Sequence, residues 1–196
     1  MARTGGDAPL SHAHGPAKAV VGGLLLLLAT AAVATPASAA CTDAPAPGVV
    51  LRRCLLDGQD FGGADLSRAD LREVSLRRAN LEAAKLDGAQ ARRAKLVQAR
   101  LKGAGLTDAD LTQADLTYAD LEGASLRGAS LRQARLYEAR LRGADLTGAI
   151  IDGADFLRAD LSGATWVDGK TRCAEGSVGR CHAGALPAAG VAKDEG

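Results

Sequence analysis

From Leu56 to Trp166 an apolar residue stands at every fifth position without a slip; 18 of these 23 positions are Leu, and the others are Phe61, Ala91, Ile151, Phe156 and Trp166. Two residues before each stands a small one, Ala everywhere except at Cys54, Gln59 and Val74 near the start. Ala, Leu, Arg and Glu all favour helix, but a five-residue step on an α-helix turns the apolar side chain by about 140°, so no buried stripe survives. Gly recurs inside the repeats, at Gly88, Gly103, Gly123, Gly128, Gly143 and Gly148. Each would weaken a helix by about 1 kcal/mol relative to Ala, whereas a tight turn uses its freedom at positive φ. The period therefore predicts an all-β chain of short extended segments joined by turns, with the Leu and the small residue facing inward and the other three facing water.

The unit, seen in Ala64-Asp65-Leu66-Ser67-Arg68 and Ala114-Asp115-Leu116-Thr117-Tyr118, resembles the A-D/N-L-x-x motif of pentapeptide-repeat proteins across nearly all of Leu56 to Trp166. The resemblance implies a right-handed quadrilateral parallel β-helix, a solenoid in which four pentapeptides make a coil of twenty residues. With coils about 4.8 Å apart, the repeats amount to about six coils in a rod ~27 Å long.

Charge patterning supports the twenty-residue coil independently. Between Leu55 and Asp168, fourteen of the fifteen charged pairs at spacing twenty are opposite in sign; Arg72 with Arg92 is the exception. At spacing ten the split is eight to seven, so the alternation belongs to twenty. Stacked opposite charges stabilise neighbouring strands and disfavour a chain slipped by one coil.

Outside the repeat the chain changes character. Arg3 and Lys18 precede an apolar run, Ala19 to Val33, and Ala37-Ser38-Ala39 follows, the layout of a cleaved export signal over residues 1–40 with cleavage before Ala40 or Cys41. The run is too short to span a bilayer stably, and Ser38 stands where lipid attachment at Cys41 would want an aliphatic residue. Without these forty residues the chain holds 22 basic and 22 acidic groups, which fits no nucleic-acid partner. Pro45, Pro47 and Gly48 are expected to stop strand pairing in an N-terminal cap, residues 41–55, ahead of the repeat at 56–168. A C-terminal cap is expected over 169–182 and a flexible tail over 183–196. Four cysteines allow three pairings; in an exported rod the local ones, Cys41 with Cys54 and Cys173 with Cys181, are favoured because the rod holds the two ends apart. A metal site at Cys173, Cys181 and His182 is the alternative, with a spacing that matches no common zinc motif.

No residues are arranged for catalysis, and no cofactor or metal is expected: His182 is the one His beyond residue 40, and the carboxylates are spread along the charge-alternating columns. Two surface features stand out. An outward column of Val97, Thr117, Tyr137 and Leu157, flanked by Tyr118, forms a candidate interaction surface for a protein partner or for a homodimer. Residues 55–102 carry ten basic and seven acidic groups against six and eleven in 103–168. Arg72, Arg77, Arg78, Arg92, Arg93 and Lys95 are expected around one corner, as a contact for a polyanion, either an acidic envelope polymer or lipid head groups. The functional expectation is an exported, secreted or extracytoplasmic, non-enzymatic scaffold. The resemblance also implies an alternative, a DNA-mimicking inhibitor of the topoisomerase gyrase, if the chain is not exported; the Arg and Lys columns interrupt the acidic surface that role requires.

Overall fold

The computed structural model describes residues 41–183; the expected export signal and nearly all of the expected tail lie outside them. Parallel bridges join residues twenty apart in four columns. The first face runs through Val50, Asp70, Gln90, Asp110, Ser130 and Ile150, and the second through Leu55, Ser75, Lys95, Asp115, Arg135 and Asp155. The third runs from Asp60 to Asp160 and the fourth from Asp65 to Thr165. The chain is a right-handed quadrilateral β-helix, the hand that parallel crossover connections take.

One pentapeptide shows why the motif folds this way. The Leu116 N–H donates to the Arg135 carbonyl of the next coil at 2.7 Å, and the Tyr118 N–H to the Tyr137 carbonyl at 2.9 Å. Asp120 donates back to Ala99 at 2.9 Å, and Ala119 closes a turn onto Leu116 at 3.0 Å. Only the Thr117 N–H is left over, and the Asp115 side chain accepts it at 3.1 Å. Asp or Asn before the Leu thus has a specific use, since it takes the one donor that neither ladder nor turn employs. Where Gly105 stands at that position, Asp87 of the coil below reaches up to the Thr107 N–H instead, at 2.9 Å.

Leu116 and Ala119 are both fully buried, and so are their counterparts through most of the rod. Two inward residues per repeat fill a narrow core at close packing, one large and one small. Where Ala91 replaces Leu, a void of about 10 Å³ remains among Leu71, Leu86, Leu96 and Leu111, about the volume that a single water centre needs but with only apolar walls.

The second turn residue always has positive φ, from Gly48 at 72° through Tyr118 at 59° to Arg158 at 62°, while its predecessor does not, as a type II turn requires. Thirteen of these positions are not Gly. Ala83, at φ 52° and exposed, makes no side-chain hydrogen bond there. Ala83→Gly is therefore expected to stabilise the protein by about 1 kcal/mol, as the left-handed penalty on a Cβ is lifted. Ala84→Gly, one residue along and wholly buried, is expected to destabilise it. Urea denaturation of both variants reads the difference; equal signs would contradict the turn assignment.

The N-terminal end departs from expectation. Pro47 and Gly48 do not stop the pairing; Val49 donates to Ala46 at 3.1 Å and Gly48 to Ser67 at 2.8 Å, so Ala46-Pro47-Gly48-Val49 is the first corner of the ladder. Proline fits because the N–H it lacks is the one the ladder leaves unused. Bridging starts at Val50, and Leu51 is already buried, ahead of the expected repeat boundary at Leu56. Cys41 is bonded to Cys54, and residues 41–45 lie beside the end of the core at Leu51, Leu56 and Phe61.

At the other end the chain reverses. Thr165 pairs antiparallel with Arg172, and Asp160 with Val178, so that Leu161, Gly163 and Trp166 donate to Ser177, Cys173 and Thr171. This strap occupies donors that would otherwise form an open sheet edge. The Cys173–Cys181 bond closes it, and Trp166 packs against Phe156 with ring centroids 5.9 Å apart. Among the described residues no helix is long and apolar enough to cross a membrane.

Candidate functional site

With the core closed and the backbone engaged in ladder and turns, the chemistry the rod offers lies in its outward columns. Each repeat contributes three outward residues: the bridge residue on a face and two turn residues on a corner.

Twelve of the fourteen salt bridges among the described residues divide between two spacings; Arg72–Asp70 lies within one coil and Arg142–Glu175 reaches the C-terminal strap. Six join residues twenty apart, among them Lys102–Glu122 at 3.0 Å and Arg158–Glu138 at 3.1 Å. Six more are diagonal at spacing eighteen, such as Arg127–Asp145 at 2.8 Å. Long side chains on a corner lean onto the neighbouring face of the next coil, so Arg100 on the third face pairs with Glu82 on the corner and not with Asp120 in its own column. These pairs are solvent-exposed and each contributes only about 0.2–1 kcal/mol, which makes register their main effect.

Carboxylates that accept from nearby donors have lowered pKa values. Asp168 has its pKa lowered to about 2 because the Thr171 hydroxyl and N–H and the Lys170 N–H all donate to it. The Ser75 hydroxyl at 2.6 Å lowers the pKa of Asp57, and the Arg53 guanidinium that of Glu73. These shifts come from hydrogen bonds and ion pairs that help to form the fold.

The predicted aromatic column is assembled at the corner between the second and third faces. Tyr118 and Tyr137 meet edge to face with ring centroids 5.8 Å apart; Tyr118 is 47% and Leu157 59% exposed. Val97 and Tyr137 are half-buried, and the Thr117 hydroxyl is already engaged by Asp115 at 2.5 Å. Arg158 donates to the Tyr137 hydroxyl at 3.4 Å, and the adjacent Glu138 carboxylate raises the Tyr137 pKa.

The basic residues do not share one corner. Arg72, Arg92 and Arg93 occupy the corner between the first and second faces, Arg77 and Arg78 the next corner, and Lys95 the second face between them. Arg72, Glu73, Arg92 and Arg93 surround a surface hollow. Two further basic residues upstream of the repeat join this corner: Arg52, which stands one coil below Arg72, and Arg53, which pairs with Glu73 at 3.0 Å.

The thiols of the alternative metal site are consumed by the Cys173–Cys181 bond. Among the described residues no group of His, Cys, Asp and Glu is placed to hold a metal ion.

The family described as Pentapeptide repeats matches in eight copies over residues 50–88, 75–113, 104–143 and 139–165, together more than half the chain. No curated protein matches. Among solved structures, a pentapeptide repeat protein from the Arabidopsis thaliana thylakoid lumen is 33% identical over 63% of this chain and 75% of its own, with a TM-score of 0.29. HetL, involved in heterocyst differentiation regulation in Nostoc, is 32% identical over 63% and 75%, with a TM-score of 0.26. QnrB1, a plasmid-mediated fluoroquinolone resistance protein, is 21% identical over 61% and 73%, with a TM-score of 0.34.

Proposed function

Because the chain belongs to the pentapeptide-repeat family, we propose that it acts outside the cytoplasm as a rigid, non-enzymatic scaffold presenting fixed columns of side chains to a partner. The observation that carries this reading is the pair of disulfides, one at each end of the ladder, with no free cysteine among the described residues. Disulfides of this kind persist in oxidising compartments and are uncommon in the cytosol. The export-signal pattern of residues 1–40 supports the same location.

Stiffness suits the role. A ladder that engages four of five N–H groups per repeat, with side-chain acceptors taking many of the fifth, holds outward residues at fixed spacing, so little ordering entropy is lost on binding. The aromatic corner is the surface for a protein partner, since paired Tyr rings beside Leu157 offer contact area at small entropic cost. A duplex-like gyrase mimic needs a continuous acidic surface, and the interleaved Arg columns weigh against it.

Fractionation of the native host, with mass spectrometry of the N-terminus and of thiol state, tests the proposal. A mature N-terminus at Ala40 or Cys41, with both disulfides formed in the envelope or medium, is the expected result. An intact N-terminus in a cytosolic, reduced protein would overturn it.

A further inference from the structure

Between Val50 and Leu55 the ladder holds two more stacked charge pairs, Arg53 with Glu73, opposite, and Arg52 with Arg72, alike. Both like-sign stacks of the ladder therefore fall in one column, Arg52, Arg72 and Arg92, on the corner between the first and second faces. Like charges stacked directly on one another destabilise a sheet, and everywhere else this chain avoids them. Three Arg on successive rungs, about 4.8 Å apart along the backbone ladder, call for anions between their side chains.

The rod supplies too few. Arg52, Arg53, Arg72, Arg92 and Arg93 share three carboxylates: Asp70 serves both Arg52 and Arg72, Glu73 turns to Arg53, and Asp110 stands 3.6 Å from Arg92. Arg93 reaches only the amide oxygen of Gln113, at 2.9 Å. Two positive charges remain in excess at this corner, and Lys95, stacked next to Asp115, stands on the adjacent face. Asp70 also shows the binding mode, because a single carboxylate oxygen, Oδ2, bridges guanidiniums of successive coils.

We infer that this column is a binding site for a linear phosphate polymer lying along the rod axis, its phosphates bridging Arg72 and Arg92 as Asp70 bridges Arg52 and Arg72. A tetrahedral phosphate offers oxygens to two guanidinium forks on different rungs at once, which a planar carboxylate does less well. The charge follows one corner of the rod, around the hollow that Arg72, Glu73, Arg92 and Arg93 surround, and not a flat side, so it matches a thread-like ligand better than a bilayer. The site goes beyond the scaffold reading and stands apart from the aromatic corner, which lies on another edge of the second face.

The test uses the disulfide-bonded protein and inorganic polyphosphate, with binding followed by titration calorimetry at low salt. Arg72→Gln with Arg92→Gln is expected to weaken binding about tenfold or more and to flatten the salt dependence. Arg127→Gln with Arg142→Gln removes the same charge from the other half of the rod and is expected to change affinity less than about twofold. Circular dichroism confirms folding; the first pair gives up the ion pairs to Asp70 and Asp110 as it relieves a repulsion, a small loss that leaves the fold intact. Equal losses in the two double variants would overturn the proposal by reducing it to net charge. Binding as tight to polyglutamate, or tighter binding to vesicles of anionic phospholipid, would also overturn it.

Discussion

Leu116→Asp leaves the protein unfolded. Leu116 is fully buried midway along the rod, in the same inward column as the buried Leu96 and Leu136, and the groups that face the core are apolar. A carboxylate there has no donor within the stack, and its desolvation costs several kcal/mol even after it takes up a proton. Because each coil rests only on its neighbours, a broken central coil separates two short stacks that cannot bury their own ends. Leu116→Ala keeps the fold but costs about 2–5 kcal/mol, the usual penalty for a buried Leu with partial collapse. Thr117→Ala, on the outside and giving up one hydrogen bond to Asp115, costs about 1 kcal/mol or less. Urea denaturation measures all three; a Leu116→Ala loss no larger than that of Thr117→Ala would contradict inward-facing leucines.

Replacing Cys173 and Cys181 by Ser is expected to cost about 2–3 kcal/mol, the chain-entropy value for a short loop. The bridge spans eight residues and pins the strap that accepts hydrogen bonds from Leu161, Gly163 and Trp166. Without it the strap frays, and the edge of the last coil becomes a template for pairing with another chain. The variant is therefore expected to aggregate at concentrations the parent tolerates, with fast amide exchange at Leu161 and Trp166 while Leu116 stays protected. Light scattering and hydrogen exchange check both; unchanged protection at Leu161 would show that the strap holds without its disulfide.

The repeat was legible because a strict period leaves one geometry. Leu at every fifth position excludes a helix, and sign alternation at spacing twenty marks the coil, which the bridges from Val50–Asp70 to Asp145–Thr165 reproduce. The cysteine pairing was legible for a similar reason, as the rod separates the two pairs. The terminal structures were not. Pro47 and Gly48 read as breakers until it is known that the N–H after the Leu is never used in the ladder. The antiparallel strap over 170–183 has no period to announce it.

Among surface residues, which column each joins follows from spacing, but the lean of a long side chain does not. Arg100 therefore finds Glu82 and not Asp120, and half of the twelve inter-coil ion pairs at spacings eighteen and twenty are diagonal. Placing the basic residues on two corners required knowing which positions are turns. The column of Arg52, Arg72 and Arg92 emerged only once the ladder was seen to begin upstream of Leu56.

Scalar couplings across hydrogen bonds, measured by NMR on isotope-labelled protein, test the four-sided spiral most directly. The fold requires a coupling from the Leu116 amide nitrogen to the Arg135 carbonyl carbon, and from Asp120 to Ala99. Couplings from these amides to carbonyls four residues earlier, the helical pattern, would contradict it.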